Sequence, residues 1–262
     1  MPPEQIRFDD GASYERYMGR WSHLIGEAFL DWLAPKQGLR WLDVGCGNGA
    51  FTEVILQRCS PSEVHGIDPS EAQLAFARSR SISSIAQFRI GDAMALPFAG
   101  DSFDAAVMPL VIFFVPAPAH GIAEMARVVS PGGIVAAYAW DLPGGGFPYQ
   151  SLRDELKVFG IEAPLPPSPD ASRLDVLHQL WKNAGLQDVE TRPITVQREF
   201  ADFDDYWKTV EGGPSLSGTL AKMSSENRQG LKEAMRRKLP TDSEGKIRYS
   251  ACANAVKGRV AD

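Results

Sequence analysis

The residues best suited to chemistry are three aspartates and a run of glycines. Leu42-Asp43-Val44-Gly45-Cys46-Gly47-Asn48-Gly49 puts an acid and three alternating glycines at the end of the short run Arg40–Val44. A second acid, Asp68, closes Val64-His65-Gly66-Ile67, and a third, Asp92, follows Phe88-Arg89-Ile90-Gly91. Acids at the C-terminal ends of successive predicted strands describe a nucleotide-like pocket along the edge of a parallel sheet. Glycine permits positive φ and removes side chains that would keep a ligand from the backbone. The helix after such a loop offers free N–H groups and a partial positive end.

The elements that must position these residues follow from periodicity. Leu24, Ile25, Ala28, Phe29 and Trp32 give Ser22 to Trp32 a helical period, ended by Pro35 and Gly38. A strand at 40–44, a helix at 50–58 and a strand at 64–67 follow. Ser70 caps a helix to about Arg80, with Glu71 in its first turn. Strands at 87–90 and 103–108 come next, then a helix from His120 to Val129 that stops at Pro131-Gly132-Gly133. Ile134 to Tyr138 is the fifth strand. This alternation predicts a doubly wound parallel sheet with right-handed crossovers. Beyond Trp140 the pattern changes. Pro143-Gly144-Gly145-Gly146 and the segment 164–169 punctuate helices at 150–159 and 174–184. A long strand spans 188–200, helices span 202–210 and 217–239, and a last strand spans 247–256. The expected division is a core over 1–142 and, over 143–262, cap segments with strands that complete the sheet.

Bulk numbers exclude several classes. The 262 residues are 44% hydrophobic and 23% charged, a globular rather than disordered composition. No apolar run reaches the roughly 18 residues that span a bilayer, and the acidic, polar start lacks an apolar signal core. Three scattered cysteines, Cys46, Cys59 and Cys252, form no metal-ligand pair and suit reduced thiols. A cytoplasmic protein is expected. Net charge is −6, and Arg236-Arg237-Lys238 reads as a solvated helix face beside Glu233. Nucleic acid is therefore not an expected partner. The oligomeric state stays open.

Two ligand classes fit the glycine loop. A dinucleotide fingerprint needs G-x-G-x-x-G, which Gly45, Gly47 and Ala50 satisfy loosely, with Asp68 near a ribose-binding position. Against it, Asp43 stands two residues before the first glycine, where it can face a cation. Asp92 adds a third acid, and a pyrophosphate disfavours extra carboxylates.

The motifs resemble those of class I S-adenosylmethionine-dependent methyltransferases, in particular the small-molecule group related to the ubiquinone/menaquinone biosynthesis enzymes. Asp43 to Gly49 is followed in order by Gly66-Ile67-Asp68-Pro69-Ser70 and by Gly91-Asp92-Ala93-Met94-Ala95-Leu96-Pro97-Phe98. Asp101-Ser102-Phe103-Asp104 and Arg127-Val128-Val129-Ser130-Pro131-Gly132-Gly133 complete the series. The resemblance covers roughly residues 14 to 140. It departs at Asn48, where Thr or Ser is commoner, and at the apolar stretch Met108 to Val115, where relatives often carry a polar residue or a histidine.

The resemblance implies a Rossmann-like, mostly parallel seven-stranded sheet with helices on both faces and a helical cap inserted late in the chain. It implies S-adenosylmethionine as cofactor and S-adenosylhomocysteine as product. The loop through Gly45, Cys46 and Gly47 would cradle the methionyl part, its ammonium held by the Gly45 carbonyl and the charge of Asp43. Asp68 would accept from both ribose hydroxyls. Pro69 and Gln73 would flank ribose and adenine, and Asp92 and the Ala93 N–H would meet the adenine. Met108 and Pro109 would pass near the sulfonium. The lead-in Tyr14 to Ser22 would close over the cofactor, with Tyr17, Met18 and Trp21 shielding the sulfonium and Arg20 pairing with the carboxylate. Aromatic residues of the cap (Phe147, Tyr149, Phe159, Tyr206, Trp207) suit an apolar or aromatic small-molecule acceptor. Asp104 reads as structural, as does His65 within its strand. His120 is the histidine nearest the expected rim, and no catalytic residue is assigned. The alternatives are an NAD-dependent oxidoreductase and a binding protein that keeps the cofactor but has lost transfer.

Overall fold

In the computed structural model, which describes residues 15–213 and 217–262, a five-residue π-type turn, Glu15–Gly19, leads directly into helix α1 (Arg20–Leu33). Tyr14 lies outside the described residues. Burial of Trp21, Ile25, Phe29 and Leu33, four residues apart, seats one stripe of α1 on the core. Then come β1 (Arg40–Val44), α2 (Ala50–Cys59), β2 (Glu63–Asp68), α3 (Glu71–Ser79), β3 (Ala86–Ile90) and β4 (Phe103–Pro109). The Ser70 side chain caps α3 by accepting from the Gln73 N–H at 3.4 Å. Helix α4 (Pro118–Val128) starts with proline at its first position, where no N–H is needed. Strand β5 (Val129–Trp140) begins at once, so Pro131-Gly132-Gly133 falls inside a strand rather than in the turn expected of it.

The seven strands form one sheet in the order β3-β2-β1-β4-β5-β7-β6, with β6 (Gln187–Phe200) and β7 (Ile247–Arg259). Pairings among β1 to β5 are parallel, and β7 runs antiparallel to both β5 and β6. Consecutive residues of β1 and β4 are buried, which requires helices on both faces. Trp21, Trp41, Trp140 and Trp181 are fully buried in a single core. The Trp181 indole N–H donates to the Val135 carbonyl at 2.8 Å, fixing α6 (Leu174–Asn183) to the sheet.

The late cap consists of α5 (Gln150–Val158), α7 (Phe203–Glu211), α8 (Ser217–Ala221) and α9 (Ser225–Lys238). The single helix expected over 217–239 is two. Ser224 turns extended and caps α9 by accepting from the Asn227 N–H, a cap signal that outranks the continuous helical pattern. Strand β5 pairs with β7 only as far as Trp140–Ala253, whereas β6 stays paired to Phe200–Ile247. The β6–β7 ribbon thus outruns the sheet and carries Arg198 and Phe200 toward the N-terminal turn. Among the described residues no helix is long and apolar enough to cross a membrane.

Candidate functional site

The site grows from the end of β1. The chain turns through Gly45, Gly47 and Gly49 at φ of 75°, 53° and 80° before α2 begins at Ala50. The N–H groups of Gly45 and Cys46 both donate to the Ile67 carbonyl (2.8 and 2.9 Å), and that of Gly47 donates to Asp68 Oδ2 at 2.9 Å. Gly45 is required twice over. Its φ is left-handed, and a Cβ there would lie 2.5 Å from Val111 Cγ2.

Asp43 is fully buried. Its Oδ2 accepts from the Thr52 hydroxyl at 2.6 Å, while its buried Oδ1 has no hydrogen-bond partner among the described residues. Burial pushes the Asp43 carboxyl up to about 7; the Thr52 bond opposes this and the charge of Asp68 adds to it. Asp68 also rises through burial, against the two backbone bonds that favour its charged form, from Ser70 N–H to Oδ1 (2.8 Å) and from Gly47 N–H to Oδ2. Each Asp68 oxygen spends one lone pair on the loop and keeps another for a ligand.

These groups face a cavity of about 410 Å³. Pro69, Ser70 and Gln73 line one part of it. Pro109, Leu110, Val111 and Phe114 line another, together with Phe51 and Tyr138. Leu110 sits at φ 60° and donates its N–H to the Tyr138 carbonyl at 2.7 Å. A non-glycine residue held left-handed costs roughly 1–2 kcal/mol, and such strain clusters at ligand sites. Among the described residues no group of His, Cys, Asp and Glu is arranged to hold a metal.

Of the residues singled out in the sequence, Asp43, Gly45, Cys46, Gly47, Asp68, Pro69, Gln73 and Pro109 share this cavity. Tyr17, Met18, Trp21, Asp92, Ala93 and Met108 lie outside its lining. Trp21 is fully buried, donates to the Tyr149 hydroxyl (3.2 Å) and meets Trp140 edge-on. Tyr17 stacks on Tyr149 with centroids 4.3 Å apart, and Met18 is buried beside it in the core. Asp92 is exposed and accepts from the Met94 N–H at 2.8 Å, closing a turn after β3. Met108 is buried one residue before Pro109, where strand alternation turns it to the other face. Arg20 lines a second cavity.

Asp104 is structural: it accepts from the Arg40 backbone N–H (2.8 Å) and side chain (2.7 Å), and these bonds hold its carboxyl below the usual range. His65 lies 2.5 Å from Glu63 Oε1 and edge-on to Phe98 and Phe103, away from the cavity. His120 is exposed in the first turn of α4. The lining also takes in Phe51, Leu110, Val111, Phe114 and Tyr138, for which no site role was expected, and Ser22, the last residue of the lead-in. The signal for Tyr138 was present, since it ends the predicted fifth strand on the same sheet edge as the acids.

A family model described as a methyltransferase domain matches residues 42–137, the stretch that carries the loop, Asp43 and Asp68, and most of β1 to β5. The chain is 38% identical over 111 residues to the ubiquinone/menaquinone biosynthesis C-methyltransferase of Dinoroseobacter shibae, 41% of this chain and 44% of that one. The chain spans about half or less of the length of the curated relatives it matches. Among solved structures, Haemonchus contortus phosphoethanolamine N-methyltransferase 2, in complex with S-adenosyl-L-methionine, aligns with a TM-score of 0.59. It shares 20% identity over 96% of this chain and 56% of that one. The [4+2]-cyclase SpnF aligns at 0.54 with 19% identity over 93% and 82%. At these identities the likeness shows the fold, and the cyclase shows that the fold alone does not fix the reaction.

Proposed function

We propose that this chain transfers a methyl group from S-adenosylmethionine to a small-molecule acceptor and releases S-adenosylhomocysteine. The observation that carries this reading is the Asp43 carboxylate, buried at the cavity wall with Oδ1 unpartnered beside a glycine loop. A buried acceptor of that kind calls for a cation or a donor. The methionyl ammonium supplies one, and the free lone pairs of Asp68 suit a ribose diol. A pyrophosphate would bring negative charge against two carboxylates, which disfavours the dinucleotide alternative.

S-adenosylmethionine, when bound, supplies an electrophilic methyl group on a sulfonium. The chain binds, orients and excludes water. Asp43 and the Gly45 carbonyl hold the ammonium end. Asp68 holds the ribose, and its bonds to the Gly47 and Ser70 N–H groups fix its angle. Pro69 and Gln73 flank the nucleoside. No histidine lines the cavity, and burial raises the Cys46 thiol well above its usual range, so it stays protonated. The acceptor accordingly brings its own nucleophilicity. Phe51, Phe114, Leu110 and Val111 give it an apolar wall. The curated relatives, C-methyltransferases of ubiquinone/menaquinone biosynthesis, support an apolar or aromatic acceptor. Three free cysteines support a reducing, cytoplasmic setting.

Calorimetric titration of S-adenosylhomocysteine and NADH tests the reading. Micromolar binding of the first is expected. It should weaken by on the order of 100-fold in Asp68→Ala, which removes two charge-assisted hydrogen bonds. Tight NADH binding without S-adenosylhomocysteine binding overturns it. Cofactor binding with no methylated product across an acceptor panel would leave a binding protein.

A further inference from the structure

A second cavity, of about 670 Å³, shares Ala50 with the first. Five fixed cations line it (Arg16, Arg20, Arg80, Arg198 and Lys208) against three carboxylates, those of Glu15, Glu53 and Asp205. In a chain of net charge −6 this inverts the prevailing sign. Two of the three acids are already engaged, since Arg80 donates to Glu53 Oε2 at 2.8 Å and to Glu15. Glu15 also accepts from the Asn48 amide at 2.8 Å. Arg20 and Lys208 are exposed, and among the described residues neither has a carboxylate within ion-pair distance.

Arg198 decides the matter. It is 8% exposed, and its Nε is buried with no hydrogen-bond partner among the described residues. Among the described residues its Nη1 donates only to neutral oxygens, the Tyr17 carbonyl (3.3 Å) and the Tyr149 hydroxyl (3.5 Å), while its Cζ lies 4.4 Å from the Phe200 ring centroid. Burial lowers its pKa, opposed first by Tyr149, while nearby Arg20 lowers it further and Asp205 opposes least. A buried guanidinium with no carboxylate in ion-pair contact, only the charge of Asp205 nearby, is destabilising unless an anion completes it. A planar fork of donors matches phosphate and carboxylate.

We propose that this second cavity binds an anionic small molecule bearing a phosphate or carboxylate group, with Arg198 at its floor and Arg20 and Lys208 at its mouth, independently of the cofactor cavity. The concave shape and the overall negative charge favour a small ligand over a polyanion. Arg20, expected from the sequence to meet the cofactor carboxylate, belongs to this site.

The test titrates inorganic phosphate and succinate into the full chain, against chloride at matched ionic strength, with and without saturating S-adenosylhomocysteine. Binding of at least one probe, unchanged by S-adenosylhomocysteine, is expected. Tighter phosphate assigns a phosphate ester, and tighter succinate a carboxylate. Lys208→Glu should weaken the probe by about tenfold, the loss of one charge-assisted contact, and leave S-adenosylhomocysteine affinity intact. Arg198→Gln should weaken it further. Lys208→Glu sits at an exposed position and decides the matter even if Arg198→Gln fails to fold. The proposal falls if neither probe binds beyond chloride, or if Lys208→Glu binds as the wild type does. It also falls if the probe displaces S-adenosylhomocysteine, because the cations then serve the cofactor. Probe binding without S-adenosylhomocysteine binding would overturn the cofactor reading and leave this one standing.

Discussion

The two cavities share Ala50 and are opposite in character. The first is acidic, and its charged groups, Asp43 and Asp68, come from a single strand-helix-strand unit. The second is basic, and its groups come from the N-terminal turn, α1, the stretch after α3, β6 and α7. One site is therefore a property of a sheet edge, set by local backbone geometry. The other is a property of assembly, set by where the β6–β7 ribbon and the N-terminal turn dock. Damage to the loop should remove the first and spare the second, and damage to the docking should do the reverse.

The largest separation is expected from Gly45→Ala. The new Cβ would press on Val111 at a left-handed φ, costing about 2–4 kcal/mol by chemical denaturation. S-adenosylhomocysteine binding should be lost, while the phosphate response in the surviving folded fraction persists. Loss of both together would break the distinction. The next effect is one of pH. With a pKa of about 7 in the unliganded protein, Asp43 must lose a proton to face an ammonium. Affinity for S-adenosylhomocysteine should thus fall about tenfold per pH unit below 7 and level off above it. Asp43→Asn should be weak and flat across that range. The same raised pKa makes the unliganded fold bind a proton that the unfolded chain has released. Its stability accordingly declines as pH rises from about 4 to about 7, where the native group finally ionises. The smallest effect is Tyr149→Phe. That hydroxyl donates to the Tyr17 carbonyl at 2.7 Å and accepts from the Trp21 indole and Arg198. Its loss should cost about 1 kcal/mol and weaken phosphate a few-fold, with S-adenosylhomocysteine affinity unmoved. A shift in the cofactor affinity instead would place the N-terminal turn at the first cavity.

The acidic site was legible because its signals are local. The end of a strand, a glycine at each left-handed position of the loop and an acid at the next strand end all fall within 26 residues, 43 to 68. The wall from Leu110 to Phe114 was read as apolar without a place, because a short apolar stretch after a strand does not say which face it covers. Tyr17 and Trp21 have the composition of a lid but are buried by Tyr149, more than 120 residues away. No spacing in the sequence announces that contact. Alternation puts Arg198 on the same face as Ile194, Val196 and Phe200, and only the docking of the overrunning β6–β7 ribbon makes it a buried cation.

Strand β7 lies between β5 and β6 yet is synthesised after both. While the nascent chain has emerged only through β6, β5 and β6 lack the partner that joins them, and each presents an open edge. For β5 that edge runs along Ile134–Trp140, whose residues are all buried in the finished sheet. Such an edge is a template for mispairing with another chain. The strands that build the acidic cavity are complete by Trp140, so the ribosome delivers the two cavities in sequence, the basic one last. Any interruption of synthesis between residues 200 and 247 leaves a chain with its cofactor edge formed, its sheet unsealed and Arg198 without the strand that seats it.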